Sequence, residues 1–329
     1  MDLMEHAGQI FLVGFSGTKP PVELMSLIGD IRLGGIILFK RNLEEPQQIT
    51  ALADNVQARA KSLNLQPLFN AVDQEGGVVA RLGQPFTVFP SQGELPEGTG
   101  YGACYDRGAL MASDLIRAGF NINLAPVLDV RRLDDSSRTG LRSFSNDPLR
   151  VAELGIGLIR GLQQNGVMAC AKHFPGLGRA TRDPHEELPS VPGSLEKDLI
   201  PFRAAIAQDV AGIMMGHALY PDKDPDRQAS LSPRLIQGLL RHDLGYRGLV
   251  LSDDLEMGAV AKQYSIEESA LLAFEAGCDI LLVCSRLEKV EDCFRTIMAE
   301  VEKSEALKQR LRESVQRILT VKTRRLSFT

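Results

Sequence analysis

Val167-Met168-Ala169-Cys170-Ala171-Lys172-His173-Phe174-Pro175-Gly176-Leu177-Gly178 is the stretch on which the fold of this chain turns. It opens as an unbroken apolar run. Such runs are strands buried on both faces, the habit of parallel sheets covered by helices. The run ends in Lys172 and His173 and then enters a Pro/Gly-rich loop. Ionisable groups therefore sit at the carboxyl end of the strand, where parallel α/β folds build their sites. The loop goes on to Asp183 and His185, with Pro184 between them. A carboxylate beside an imidazole can orient the ring and raise its basicity. Taken alone, the pair reads equally as a polar loop with a capping Asp.

Similar runs recur along the whole sequence, at residues 10–15, 35–39, 68–72, 122–130, 167–173, 212–216, 249–252 and 279–283. Helical patterns fill most of the gaps. Ile49, Leu52, Ala53 and Val56 share one face of a segment at 47–63, and similar faces recur at 107–118 and 152–163. A helix is expected over 195–207, with Ser194 as N-cap and Lys197 and Asp198 on its outer face. Ser232-Pro233 opens another at 233–242, and Gly277 closes one at 266–276. Eight strands alternating with helices predict a (β/α)₈ barrel. The first strand is not followed by a G-x-G-x-x-G, which weighs against a dinucleotide-binding open sheet. With no linker and no internal repeat, residues 1–329 read as one catalytic domain, 305–329 forming an end helix on the barrel surface.

Composition narrows the function. A net charge of -5, from 37 basic against 42 acidic residues, argues against nucleic acid as partner, and the absence of Trp argues against a base-stacking platform. Cys104, Cys170, Cys278, Cys284 and Cys293 are odd in number and contain no C-x-x-C pair, which suits reduced thiols in a cytoplasmic protein. The apolar run at 10–15 is too short for a signal core or a membrane span. A monomer without membrane attachment is the expectation.

In a barrel the strand ends share one mouth. Here they bring Lys40 and Arg41, Asp73 and Glu75 with Arg81 beyond, Asp129 with Arg138, Arg142 and Ser143 on the next loop, Lys172 and His173, His217, and Ser252-Asp253-Asp254. Individually these could be caps or ion pairs, Glu75 with a nearby Arg or Asp254 at a helix start. Their recurrence at so many strand ends points to chemistry. Metal-dependent hydrolysis could draw on His173, His185 and His217, but the first strand has no close His pair and Lys172 adds a repelling cation. Phosphate chemistry would rest on Gly176 and Gly178 alone, a weak signal. Glycoside hydrolysis needs a carboxylate at the anomeric carbon, a proton donor, and charged clamps on the sugar hydroxyls, and the mouth has all of them.

The chain resembles glycoside hydrolase family 3, in its short, single-domain bacterial β-N-acetylglucosaminidases. The marks, spread over nearly the whole sequence, are Gly34-Gly35-Ile36-Ile37-Leu38-Phe39, Asp73-Gln74-Glu75-Gly76-Gly77, Ala125-Pro126-Val127-Leu128-Asp129-Val130, Arg142-Ser143-Phe144, Lys172-His173-Phe174-Pro175-Gly176, Asp183-Pro184-His185 and Ser252-Asp253-Asp254-Leu255. The resemblance implies a (β/α)₈ barrel, no metal and no organic cofactor. It implies Asp253 as nucleophile, His185 as general acid/base with Asp183 as its partner, and Asp73, Arg81, Arg142, Lys172 and His173 as the residues that hold the sugar ring. It also implies release of N-acetylglucosamine from muropeptides in peptidoglycan recycling. Leu177 and Pro184 stand where many relatives carry His and Ser. Three alternatives remain open at this point: another β-glycoside preference, transfer of the glycosyl group to phosphate, and a barrel that binds sugar without cutting it.

Overall fold

The computed structural model describes residues 3–132, 140–180 and 188–326. Eight parallel strands close into a barrel: β1 (Phe11–Val13), β2 (Gly35–Leu38), β3 (Phe69–Val72), β4 (Ile122–Asn123), β5 (Met168–Phe174), β6 (Gly212–Met215), β7 (Leu249–Asp254) and β8 (Ile280–Val283). Each strand pairs with its sequence neighbours, and β8 closes on β1 through Phe11↔Leu281 to Val13↔Val283. Apart from half-buried Phe39 the apolar runs are buried, because packed side chains fill the inside and helices cover the outside.

Two runs give shorter strands than their length suggests. Ile10 belongs to a 3₁₀ turn, Met4–Ile10, so β1 begins at Phe11. Beyond Asn123 the fourth segment leaves the regular ladder, and its next pairing is a lone bridge, Val127↔Lys172. Pro126 lies between, and a proline has no N–H to offer a ladder. The helix after Ser232 is wound in the wide π form over Arg234–Asp243. Its start is as expected, the Ser232 hydroxyl accepting from the Leu235 N–H at 3.1 Å.

The helix Glu196–Ala207 corrects one expectation. Asp198 is not on its outer face but buried, accepting from Arg179 Nε and Nη2 at 3.0 and 2.8 Å. Arg179 also donates to the carbonyls of Pro192 and Ser194, both at 2.9 Å. One guanidinium thus ties the start of the loop after β5 to its end.

Two bulges shape the upper rim. Between β5 and β6 the register runs Ala171↔Ile213 and then Phe174↔Met215, three steps against two. Between β7 and β8 it runs Ile280↔Leu251 and then Leu282↔Asp254, again three against two. Strict alternation would send adjacent side chains to opposite faces, and an extra residue re-aims them.

The lower end is closed by the helix Glu305–Arg325. Leu311, Val315, Ile318 and Leu319 bury its apolar face, as periodicity suggests. The same face drives Lys322 into the barrel floor, where Nζ donates to Gln9 Oε1 and to the Gly34 carbonyl, both at 2.7 Å, and lies 4.6 Å from the centre of the Phe69 ring. Nearby Asp279, at the foot of β8, accepts from Arg241 Nη2 at 2.6 Å, Ser314 at 2.8 Å and Arg317 Nη1 at 2.5 Å.

Candidate active site

A cavity of about 540 Å³ opens at the carboxyl ends of the strands. Its charged lining includes Asp73, Glu75, Arg81, Asp129, Arg142, Lys172, His173, Asp253 and Asp254, and Leu124, Met214 and Leu282 contribute to its apolar lining. The two bulges explain how Lys172 with His173, and Asp253 with Asp254, all face it although each pair is consecutive in sequence.

Lys172 is the hub. Its ammonium lies 2.7 Å from Asp73 Oδ1 and 2.7 Å from Glu75 Oε1. Arg142 grips the same Glu75 in a two-pronged contact, Nε to Oε2 and Nη2 to Oε1, both at 2.9 Å. Arg81 Nη2 stands 3.7 Å from Asp73 Oδ2, and Arg81 Nε is buried without a hydrogen-bond partner. Burial would raise the Glu75 carboxyl, but Arg142 and Lys172 outweigh it and hold the group far below the usual carboxylate range. Burial likewise opposes the charge on Lys172, and Asp73 and Glu75 reverse this, so its pKa is raised. Glu75, Arg142 and Lys172 are therefore ionised around neutral pH, and the cavity wall presents fixed charge.

His173 is oriented from behind. Its Nδ1 is 2.7 Å from Asp129 Oδ2, while Asp129 Oδ1 accepts from the backbone N–H of His173 at 3.2 Å and of Leu177 at 2.7 Å. Burial works against the Asp129 charge, but His173 and those two N–H groups keep its pKa lowered. With Nδ1 spent on the carboxylate, Nε2 is the ring nitrogen free to serve a ligand.

Asp253 and Asp254 are neighbours with opposite fates. Burial tends to neutralise both. For Asp253 the nearby His173 and His217, the Asp254 N–H on its Oδ1 at 2.8 Å, and Lys172 outweigh burial, so its pKa is lowered. For Asp254 burial prevails, with Glu256 and Asp253 adding repulsion, and its carboxyl is pushed up to about 7. Asp253 is therefore the carboxylate of the pair that stays ionised at neutral pH. Cys284 also lines the cavity, but burial and the surrounding carboxylates raise its thiol far above the usual range, leaving it inert.

Six of the residues expected from sequence, Asp73, Arg81, Arg142, Lys172, His173 and Asp253, thus line one cavity. Asp183 and His185, like Arg138, lie outside the described residues. Arg142 lines the cavity, but its guanidinium is committed to Glu75. The role of Asp129 in aiming His173 is not readable from spacing, because 43 intervening residues separate them in the chain. His217 does not line the cavity. Its ring bonds Ser230 and the Asp254 carbonyl instead. Among the described residues, no cluster of three or more His, Cys, Asp or Glu has the spacing to hold a metal ion.

Known proteins resemble this chain in sequence, and solved structures resemble it in fold. A beta-hexosaminidase from Alkalilimnicola ehrlichii is 39% identical over 294 residues, which are 86% of this chain and 83% of that protein. The structure of a glycoside hydrolase family 3 beta-N-acetylglucosaminidase from a Paenibacillus species superposes with a TM-score of 0.92 at 37% identity, over 100% of this chain but 64% of that longer one. A beta-N-acetylhexosaminidase from Beutenbergia cavernae superposes with a TM-score of 0.90 at 27% identity, covering 98% of this chain and 99% of that one. The model of the glycosyl hydrolase family 3 N-terminal domain matches residues 2–321, so the chain belongs to this family and is a glycoside hydrolase.

Proposed function

We propose that the protein is a retaining exo-β-N-acetylglucosaminidase in which Asp253 attacks the anomeric carbon. The carrying observation is the contrast at the end of β7: Asp253 has a lowered pKa, inside a cavity whose other wall is the Lys172 clamp. Asp253 forms the bond to C1 as the glycosidic C–O bond breaks, giving a covalent glycosyl-enzyme; water then displaces Asp253 from the face the leaving group left, so configuration is retained. His185, paired with Asp183, gives its proton to the departing oxygen and later takes one from the incoming water. Asp73, Arg81, Lys172 and His173 hold the ring hydroxyls, with Arg142 setting Glu75 and Lys172 in place. The beta-hexosaminidase relatives support N-acetylglucosamine as the sugar. The physiological substrate is a muropeptide, cleaved in the cytoplasm by a monomer during peptidoglycan recycling. Five buried free thiols fit a reducing compartment.

The test is hydrolysis of a nitrophenyl N-acetyl-β-glucosaminide, together with trapping by a fluorinated mechanism-based sugar. The label is expected on Asp253, and Asp253→Asn is expected to lose turnover. A label on Asp254 or Glu75 would overturn the assignment. His185→Ala should slow a muropeptide, with its poor leaving group, far more than the nitrophenyl glycoside. Equal slowing would make His185 a binding residue.

A further inference from the structure

The end of β7 is held in an unusual way. Its ladder with β6 runs from Gly212↔Leu249 to Met215↔Ser252 and stops there, one residue short of Asp253. On the other side the bulge breaks the ladder with β8 over the same residues. The carboxylate at the centre of the chemistry thus stands where regular main-chain pairing fails on both sides.

Side chains take over on each side. Toward β8, the Leu282 N–H donates to the Ser252 hydroxyl at 3.0 Å, and the Leu255 N–H donates to the Leu282 carbonyl at 3.1 Å. Toward β6, His217 Nε2 lies 2.9 Å from the Asp254 carbonyl oxygen. A carbonyl only accepts, so Nε2 must carry the proton. The other nitrogen, Nδ1, is 2.7 Å from the Ser230 hydroxyl, which in the neutral ring donates to it. Ser230 is anchored in turn, its own N–H donating to the Gly216 carbonyl at 3.2 Å, at the strand end from which His217 rises. Both His217 and Ser230 are fully buried. Asp254, pinned through its carbonyl, sends its N–H to Asp253 Oδ1 at 2.8 Å.

We infer that His217, its ring held in place by Ser230, is a positioning residue for the nucleophile: its ring replaces the missing backbone donor, fixes the Asp254 carbonyl, and thereby aims the Asp253 carboxylate. The plainer alternative is a buried histidine that merely satisfies its own polar atoms. The two differ in what they do to turnover. A misplacement near 1 Å at a reacting group costs roughly 10²-fold in rate. A merely structural histidine, once replaced, lowers stability without singling out kcat.

Two substitutions separate them. In His217→Gln the amide nitrogen reaches the place of Nε2 and can still donate to the Asp254 carbonyl. In His217→Asn the amide reaches only the place of Nδ1, so the bond to Ser230 survives while the Asp254 carbonyl has no donor. The measurements are kcat and KM on the nitrophenyl N-acetylglucosaminide, the rate of Asp253 labelling by the fluorinated sugar, and the midpoint of urea unfolding. The expected result is His217→Gln within about 5-fold of the parent, and His217→Asn down roughly 10- to 100-fold in kcat and in labelling rate, with KM changed by less than about 3-fold. Equal losses in the two variants, or losses that follow the unfolding midpoint, would overturn the inference. If neither variant folds, Ser230→Ala carries the test, a fall in kcat at constant KM supporting it and an unchanged kcat overturning it. The inference rests on Asp253 as nucleophile. A parent enzyme that labels elsewhere removes that reading, whereas correct labelling with equal Gln and Asn rates removes only the role of His217.

Discussion

Lys172 and Lys322 are both shut away from solvent, at opposite ends of one barrel, and they are held in opposite ways. Lys172 faces two carboxylates, Asp73 and Glu75, and its pKa rises in spite of burial. Lys322 faces an amide oxygen, a backbone carbonyl and the face of an aromatic ring, all uncharged. Burial then acts unopposed and pushes its pKa down to about 7. The difference teaches that burial alone does not set the charge of a lysine. Fixed carboxylates do, because dipoles recover only part of the lost hydration. At the mouth the outcome is a permanent cation that can grip a polar ligand. At the floor it is a hydrogen-bond donor that can give up its proton.

The sharpest break of that comparison is Lys172→Met. It strands Asp73 and Glu75 as like charges without their cation, and kcat/KM should fall on the order of 10³-fold, roughly 4 kcal/mol of transition-state stabilisation. Lys322→Met should leave kcat/KM of the folded enzyme within about 3-fold, since the residue lies at the far end. Steady-state kinetics on both variants decide this, and similar losses would dissolve the contrast between the two ends.

A second test compares the buried carboxylates. Asp279 at the floor is opposed by burial but held ionised, its pKa lowered, by Arg241, Arg310 and Arg317, as Glu75 is by Arg142 and Lys172 at the mouth. Asp279→Asn should cost roughly 3 kcal/mol of stability, because three guanidinium groups lose their partner, while leaving kcat of the folded enzyme unchanged. Urea unfolding beside an activity assay measures both. A loss of kcat without loss of stability would mean that the floor takes part in the chemistry.

The smallest effect sharpens the comparison most. For Lys322 the folded pKa of about 7 lies below the ordinary 10.5. Between those values the unfolded chain holds a proton that the folded chain lacks, so this group makes stability rise with pH, by at most about 1.4 kcal/mol per unit. Its contribution is complete above the ordinary lysine pKa and is lost as pH falls toward 7. Subtracting the Lys322→Met unfolding free energy from that of the parent, at pH 6 and at pH 9, should give a difference that grows with pH. Parallel profiles would show that Lys322 keeps its charge after all.

Much of this architecture was legible because burial on two faces leaves a one-dimensional trace. The apolar runs marked all eight barrel strands, and the ionisable residues after them marked the mouth. Misreadings arose where a contact partner is distant in sequence. Asp198 looked like an outer-face residue because its helical position is polar, yet Arg179, nineteen residues earlier, pulls it inside. The apolar stripe of the last helix was legible, but nothing in it says that Lys322 reaches the barrel floor.

Residue order by itself therefore determined the barrel, its single catalytic face and the residue types gathered there, since hydrophobic periodicity and strand-end chemistry are local properties. The tertiary structure alone decided which of two adjacent aspartates stays ionised, which guanidinium is spent on Glu75, and how Lys172 with His173 and Asp253 with Asp254 turn toward one cavity. Those outcomes depend on bulges in the ladder and on charges brought within about 3 Å from strands far apart in the chain, where Coulomb terms compete with desolvation.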